Sequence, residues 1–460
     1  MVHNLTSNDI DTIVAISTPK GNGGISIVRL SGFDLKCFFD DLISSSLVPK
    51  QASLKKFFDS KKMVIDEGIA IYFPSPESFT GECVLELHCH GGHVITDMIV
   101  TRCVELGARM ARPGEFSERA FLNGKLDLAQ AEGISDLINA SSKSAARSAS
   151  LSMQGQFSLQ VREIVEDIID IRKFVEACID FPAEDIDFLD NKDLKKRISS
   201  CIEKLNLVIK RAHQGRILQE GVNVALTGRP NAGKSTLFNL LTGYDSAIVT
   251  STPGTTRDVL WEKVLINDIP IFLSDSAGLR ESDDDIEKEG IRRAEEEIKA
   301  ADVVLYIVDC SNRNLNQEFE HELPLVLKFC SDGTSLAVIF NKIDILNFNK
   351  NDVKDCFYPF HLVSAKKGLG VNELKDFISD LVGLDEIVEG VFSARKRHLK
   401  ALSEALRSME IGKQQLNNTG SGELLAEDLK CAQNNLSNIV GSYSPDDLLG
   451  EIFSSFCIGK

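Results

Sequence analysis

The strongest constraint on this chain is an octapeptide, Gly228-Arg229-Pro230-Asn231-Ala232-Gly233-Lys234-Ser235, set directly after the apolar run 222–227 and before the helical stretch around 236–241. A strand that delivers a glycine-rich loop into a helix start presents backbone N–H groups to phosphate oxygens. The lysine neutralises β- and γ-phosphate charge, and the serine hydroxyl suits Mg²⁺. Such a loop works at the carboxyl end of a parallel strand, so the surrounding chain has to supply a sheet. Strand-like runs at 222–227, 270–274, 303–308, 336–340 and 360–363 alternate with helical stretches, which predicts a doubly wound α/β domain.

Three further motifs follow in the order a guanine-nucleotide enzyme requires. Asp275-Ser276-Ala277-Gly278 ends the 270–274 run, where a carboxylate holds Mg²⁺ through water and a glycine N–H senses the γ-phosphate. Asn341-Lys342-Ile343-Asp344 ends the 336–340 run. Its aspartate can accept hydrogen bonds from guanine N1–H and the 2-amino group, donors that adenine lacks there. Ser364-Ala365-Lys366 suits a backbone contact to guanine O6. Between the first two motifs stands Thr250-Ser251-Thr252-Pro253-Gly254-Thr255-Thr256-Arg257-Asp258, where a hydroxyl completes the Mg²⁺ shell. The expected GTP-binding set therefore runs from Asn231 through Thr236, from Thr250 through Thr256, from Asp275 through Gly278, then Asn341, Lys342, Asp344, Ser364, Ala365 and Lys366. Leu279 stands where Ras-type enzymes carry a water-orienting glutamine, and an apolar side chain cannot orient water. Hydrolysis has to recruit another group.

At 460 residues the chain exceeds one core, so two or three domains are expected. Residues 1–125 mix short apolar runs (12–16, 25–30, 64–73, 84–88) with Gly and Pro turns and read as an α+β domain. From 126 to 220 the texture is helical, with Val161, Ile164, Val165, Ile168, Ile171, Val175 and Cys178 at helical spacing. The α/β domain, 221–383, reads as inserted into that helical domain, which resumes over 384–460 with a break near 417–422.

Eleven cysteines without Cys-x-x-Cys spacing point to reduced thiols. With no signal-peptide pattern and no apolar run of membrane length, a cytoplasmic protein without membrane partners is expected. A net charge of -17 disfavours broad nucleic-acid binding, which rests on Lys and Arg displacing counterions. Arg395-Lys396-Arg397-His398-Leu399-Lys400 is a local candidate for RNA, though such a run is more often a solvated helix face. His88-Cys89-His90-Gly91-Gly92-His93 lacks an evident fourth metal ligand and reads better as a turn after a strand. Gly21-Asn22-Gly23-Gly24 fails the dinucleotide pattern, since Ser26 follows and no βαβ unit does.

These motifs, the ending Phe453-Ser454-Ser455-Phe456-Cys457-Ile458-Gly459-Lys460, the block from Arg112 to Lys125 and Ile179-Asp180-Phe181-Pro182 together resemble the tRNA-modification GTPases of the MnmE (TrmE) family across essentially the whole chain. The resemblance implies an N-terminal folate-binding domain that also forms a homodimer. Arg29, Glu86, Lys125 and Lys460 would hold 5,10-methylene- or 5-formyl-tetrahydrofolate. It implies a potassium-activated GTPase in which Asn231, Thr250, Thr252 and Thr255 hold K⁺, while Ser235 and Thr256 hold Mg²⁺. Glu287 would orient the attacking water in place of the missing glutamine. Cys457 is implied in base modification, although a small buried side chain is nearly as good a reading. The implied activity is GTP hydrolysis coupled to C5 modification of the wobble uridine (position 34) of tRNA. The product is a carboxymethylaminomethyl-type group, made in a heterotetramer with an FAD-dependent protein of the MnmG (GidA) family. Ser276 and Thr252-Pro253 depart from the more usual residues of that pattern. The alternative is a ribosome-assembly switch GTPase, which the acidic balance disfavours.

Overall fold

A computed structural model describes residues 11–19, 21–180, 192–244, 261–275, 285–311, 322–331, 333–345, 356–383, 390–441, 446–454, 456 and 459. The N-terminal part contributes β1 (Ile13–Ile16), β2 (Gly23–Gly32), a single turn α1 (Lys36–Phe38), β3 (Ser53–Phe58), β4 (Val64–Phe73) and β5 (Cys83–Gly91). There follow α2 (His93–Glu105), β6 (Arg109–Met110), α3 (Glu115–Leu122), α4 (Leu128–Ile138), α5 (Lys143–Met153), α6 (Gln156–Asp180) and α7 (Lys192–Glu220). The middle part contributes β7 (Val222–Gly228), α8 (Lys234–Tyr244), β8 (Glu262–Ile266), β9 (Ile269–Asp275), α9 (Asp285–Ala300), β10 (Val303–Asp309), α10 (Leu323–Phe329), β11 (Ser335–Asn341), β12 (Phe360–Leu362) and α11 (Val371–Leu381). The chain closes with α12 (Lys396–Asn418), α13 (Gly422–Val440) and α14 (Asp446–Ser454). It packs into two compact units, one from Met1–Ser135, Met153–Asp190 and Ile411–Lys460, the other from Asp136–Ser152 and Asn191–Glu410.

The first unit is built on a six-stranded sheet in the order β3-β4-β5-β2-β1-β6, antiparallel except where β1 meets β6. Period-two alternation sorts its residues. Val14, Val28, Leu30, Leu85 and Leu87 form one face and pack on Ile99 and Cys103 of α2. The opposite face carries Arg29 directly across from Glu86, a pairing fixed by the β2–β5 register. There Ile13 and Ala15 meet Phe116 of α3 and the half-buried Phe79. Helices α6 and α13 pair elsewhere in this unit, joined by a hydrogen bond from Arg172 to Gln433. In α14, Phe453 packs on Leu128 and Ala131 of α4 and on Phe121 of α3, which brings the chain's end to the N-terminal sheet.

The second unit holds a sheet in the order β12-β11-β10-β7-β9-β8, parallel except for β8. Its central strands are apolar on both faces, as a sheet covered on both sides requires. Val224, Leu226, Leu305, Ile307 and Ile339 pack on Leu237 of α8 and Leu374 and Ile378 of α11. Ala225, Val304, Tyr306, Val338 and Phe340 pack on Ile298 of α9 and Val326 of α10. Each of these fully buried large side chains contributes about 1.5–3 kcal/mol. From β7 the chain moves to β9 on one side and then to β10 on the other, so β7 and β10 flank the crevice where doubly wound sheets bind ligands.

Candidate functional site

The loop after β7 is shaped by close approaches. Gly233 has φ +98, and a Cβ there would lie 2.2 Å from the Asn341 amide nitrogen, so no side chain fits. Asn231 also takes a left-handed φ of 64, which asparagine tolerates better than most residues. The Lys234 ammonium is buried and donates to the carbonyls of Gly228 (2.9 Å) and Arg229 (3.0 Å). Ser235 and Thr236 open α8 and are exposed. The loop's outer edge is braced by Arg229, whose Nε donates to Glu322 Oε1 at 2.7 Å.

Asn341, at the end of β11, is only 2 % exposed and fastens three loops. Its Nδ2 donates to Ala232 O (2.9 Å), and its Oδ1 accepts from the backbone N–H of Lys342 (2.8 Å) and Ala365 (3.0 Å). The motif's asparagine is thus a joint between the phosphate loop and the Ser364 loop. Lys342 donates to Asn231 O at 2.7 Å and to the carboxylate of Asp309, which closes β10. Burial pushes the Asp309 carboxyl up, but hydrogen bonds from Lys342 and Ser311 outweigh it and hold it below the ordinary value. Asp344 Oδ1 accepts from the Ser364 hydroxyl at 2.6 Å, and that bond keeps its carboxyl below the usual range. A carboxylate held ionised with its second oxygen near Lys367 (3.7 Å) suits a ligand edge that offers two N–H donors. Ala365 is buried and Lys366 exposed.

Asp275 closes β9 beside β7, and Glu287 lies in the first turn of α9. Thr250, Ser251, Thr252, Pro253, Gly254, Thr255, Thr256, Ser276, Ala277, Gly278, Cys457 and Lys460 lie outside the described residues.

A second polar site occupies the far face of the N-terminal sheet. Arg29 Nε and Nη2 both donate to Glu86 Oε1, at 3.0 and 2.8 Å. The guanidinium carbon stands 5.6 Å from the Phe79 ring centre and 5.8 Å from that of Phe116. Glu86 Oε2 is 3.3 Å from His88 Nε2. Gly459 reaches the same place: its carbonyl accepts from the Ser17 hydroxyl (3.1 Å) and from Arg29 Nη1 (3.5 Å). Gly459 has φ +93, and a Cβ there would meet Ile16 O at 2.5 Å. Of the four expected residues, Arg29 and Glu86 touch. Lys125 holds the loop bearing Phe79, donating to Pro76 O at 3.0 Å.

Known proteins match this chain over nearly its whole length. A model described as "GTP-binding protein TrmE N-terminus" matches residues 12–125, and one described as "MnmE helical domain" matches 128–457. The tRNA modification GTPase MnmE of Chromohalobacter salexigens is 50% identical over 456 residues, covering 98% of each chain. That of Saccharophagus degradans is 46% identical over 457 residues, covering 99% of this chain and all of its own. The chain belongs to the MnmE family of tRNA modification GTPases. Among solved structures, the G domain of the T. maritima FeoB iron transporter is 26% identical over 35% of this chain and 98% of its own, with a TM-score of 0.28.

Several residues of this MnmE-family chain escaped the sequence reading. Asp309 had a signal, a carboxylate closing the apolar run 303–308, but nothing to mark Lys342 as its partner. Phe79 and Ser17 had none, and Phe116 and Gly459 stood only inside the stretches that carry the family resemblance, because their meeting depends on sheet register and on where the tail returns. An ion network around Arg119 of α3 was equally hidden. Arg119, 6% exposed, donates to Asp11 Oδ1 (2.8 Å), Glu82 Oε2 (3.1 Å) and Glu115 Oε1 (3.2 Å), and Arg109 donates to Asp11 and Glu115 at 2.7 Å each. Two histidines of the 88–93 stretch pair with carboxylates, His88 with Glu86 at 3.3 Å and His90 with Asp66 at 2.8 Å. Of the basic run at 395–400, Arg395 is committed to the buried Asp136 (2.8 Å) and His398 is buried, leaving Lys396 and Lys400 exposed. Among the described residues no helix is long and apolar enough to cross a membrane.

Proposed function

We propose that this chain hydrolyses GTP and uses the cycle to drive C5 modification of the wobble uridine (position 34) of tRNA. It would act in the cytoplasm as a homodimer joined to an FAD-dependent partner of the MnmG (GidA) family. In this reading residues 1–125 form the folate module, 221–383 the nucleotide module, and 126–220 with 384–460 the helical scaffold. The observation that carries the nucleotide half is Asn341, whose single amide fixes the phosphate loop, the Asp344 turn and the Ser364 loop in one geometry.

Each group has a definable task. Lys234 releases the Gly228 and Arg229 carbonyls to meet β- and γ-phosphate oxygens, and the amides of Ala232 and Gly233 line the same loop. Asp344 accepts the two guanine donors and rejects adenine. Ser235, exposed at the first turn of α8, fits as an Mg²⁺ ligand with Thr256. The exposed Asn231 fits as a K⁺ ligand with Thr250, Thr252 and Thr255. Bound there, the cations supply positive charge where the leaving oxygen gains negative charge. Glu287 orients the attacking water. On the sheet face, Glu86 offers a carboxylate to the donor edge of a pterin, and Arg29, Lys125 and Lys460 offer cations to a glutamate tail. That arrangement suits a tetrahydrofolate carrying a one-carbon unit. Cys457 serves base chemistry.

The test is nucleoside analysis of tRNA from a deletion strain, together with GTP turnover in KCl against NaCl. Loss of the C5 group at uridine 34 is expected. Full modification with disturbed ribosome profiles would overturn the proposal in favour of an assembly switch. Equal rates in the two salts would remove the potassium role.

A further inference from the structure

The hairpin of β8 and β9 closes on the pair Ile266 and Ile269 with only Asn267 and Asp268 between them, at φ 51 and 64. Two left-handed residues make the type I′ turn that suits strand twist, and Asn and Asp tolerate that conformation. Both side chains of this turn are engaged away from the hairpin. Asp268 Oδ1 accepts from Lys143 N at 3.2 Å, and Oδ2 from Ser144 N at 2.7 Å. These are the first two amides of α5. The third, Ala145 N, donates to the Ser142 hydroxyl (3.1 Å), and the ordinary helical ladder begins with Ala146 N on the Ser142 carbonyl (3.0 Å). A helix start has four amides without intrahelical partners, here those of residues 142–145, and two of them depend on a carboxylate far away in sequence. On the other side Asn267 Nδ2 donates to Asp376 Oδ1 (2.9 Å) and Ser379 Oγ (3.0 Å) of α11, the helix that follows the Ser364 loop.

We propose that the Asn267-Asp268 turn is a positioning joint through which the state of the nucleotide site is passed to helix α5. The hairpin is the stretch of chain between the 250–258 segment and the Asp275 motif, and β9 runs without interruption from the turn to Asp275. Paired to β7 and β8 along its length, β9 is stiff, so a displacement at its Asp275 end moves its other end about 20 Å away. The two Asp268 hydrogen bonds are short-range and directional, so they are either made or lost. Such a two-state contact is what a coupling route physically needs. The α11 tie through Asn267 gives the base side of the site a second hold on the same turn. The joint rests on the guanine-nucleotide reading and adds to it the route by which binding is felt outside the sheet.

The test is amide hydrogen exchange of residues 143–147 in the full chain, without nucleotide, with GDP, and with GDP and aluminium fluoride. Affinity for a fluorescent GDP analogue is measured on the same samples. Exchange in the wild type is expected to differ between these states by about fivefold, the worth of an N-cap. Asp268→Gly keeps an Asn-Gly type I′ turn while deleting the carboxylate. It is expected to leave GDP affinity within about twofold and to abolish the nucleotide dependence of exchange. Asp268→Asn, which retains one acceptor oxygen, should restore much of it, a rescue that loss of hairpin integrity would not give. Unchanged wild-type exchange despite bound GDP, or dependence surviving in Asp268→Gly, would overturn the joint alone. Failure of GDP to bind at all would overturn both the joint and the reading beneath it.

Discussion

The two sites are built on opposite principles. The proposed nucleotide site is made largely of backbone: amides, carbonyls and glycines contiguous in sequence, with Lys234, Asn341 and Asp344 closing it. The N-terminal site is made of side chains on one face of a sheet, where Arg29 meets a carboxylate 57 positions away and a carbonyl 430 positions away. A backbone cradle needs a particular local conformation and so writes itself into neighbouring residues. A side-chain site needs only that distant residues share a face, which leaves no local signature.

That contrast can be broken or sharpened by substitution. The largest effect is expected for Asp344→Asn, which keeps shape but replaces one acceptor by a donor facing guanine N1–H or the 2-amino group. GDP affinity should fall roughly a hundredfold. Affinity for xanthosine diphosphate should rise, because its 2-oxo group accepts from the new amide. Equal affinities for guanine and adenine nucleotides in the wild type would remove the basis of the comparison. An intermediate effect is expected for Glu86→Gln: calorimetry should show tetrahydrofolate affinity reduced roughly tenfold, as a charge-assisted hydrogen bond is lost, with GTP turnover unchanged. Coupled loss of turnover would show that the two sites are not independent.

The smallest effect is one of pH. Burial raises the carboxyls of Asp11 and Glu115, but Arg109 and Arg119 outweigh it and hold both below their ordinary values of 3.8 and 4.5. A depressed folded-state value means the unfolded chain binds more protons in this window. The stabilisation is therefore complete above the ordinary values and is lost as pH falls through the folded ones. Thermal melts should show the first unit weakening only below about pH 4. In Glu115→Gln that acid branch should shrink; a melting curve indifferent to pH 3–5 would contradict it.

What the sequence made legible follows the same division. The strand, loop and helix around Gly228 to Ser235 appear where expected, and β4 has the bounds of the run 64–73. The edge strand β3 was missed because Lys55 and Lys56 interrupt its apolar pattern, as edge strands commonly allow. β8 was missed because its two-residue turn carries no glycine. Asn341 was legible as part of a guanine motif, but its role as a joint depends on Ala232 and Ala365 arriving beside it. Arg29 and Glu86 came only from family resemblance. The contacts of the Arg119 network, of the Phe79 and Phe116 rings and of the Asp268 cap had no sequence signal, since each depends on tertiary pairing across tens to more than a hundred residues.

One amide at Asn341 has a consequence for how any ligand is gripped. Because the same side chain steadies the cradle at one end of the nucleotide and the turn at the other, a molecule offering only a pyrophosphate or only a purine nucleoside would meet half of a chelating framework and would pay for ordering the whole of it. The intact nucleotide spreads that ordering cost over both ends, so its hold on the protein should exceed the sum of its fragments'.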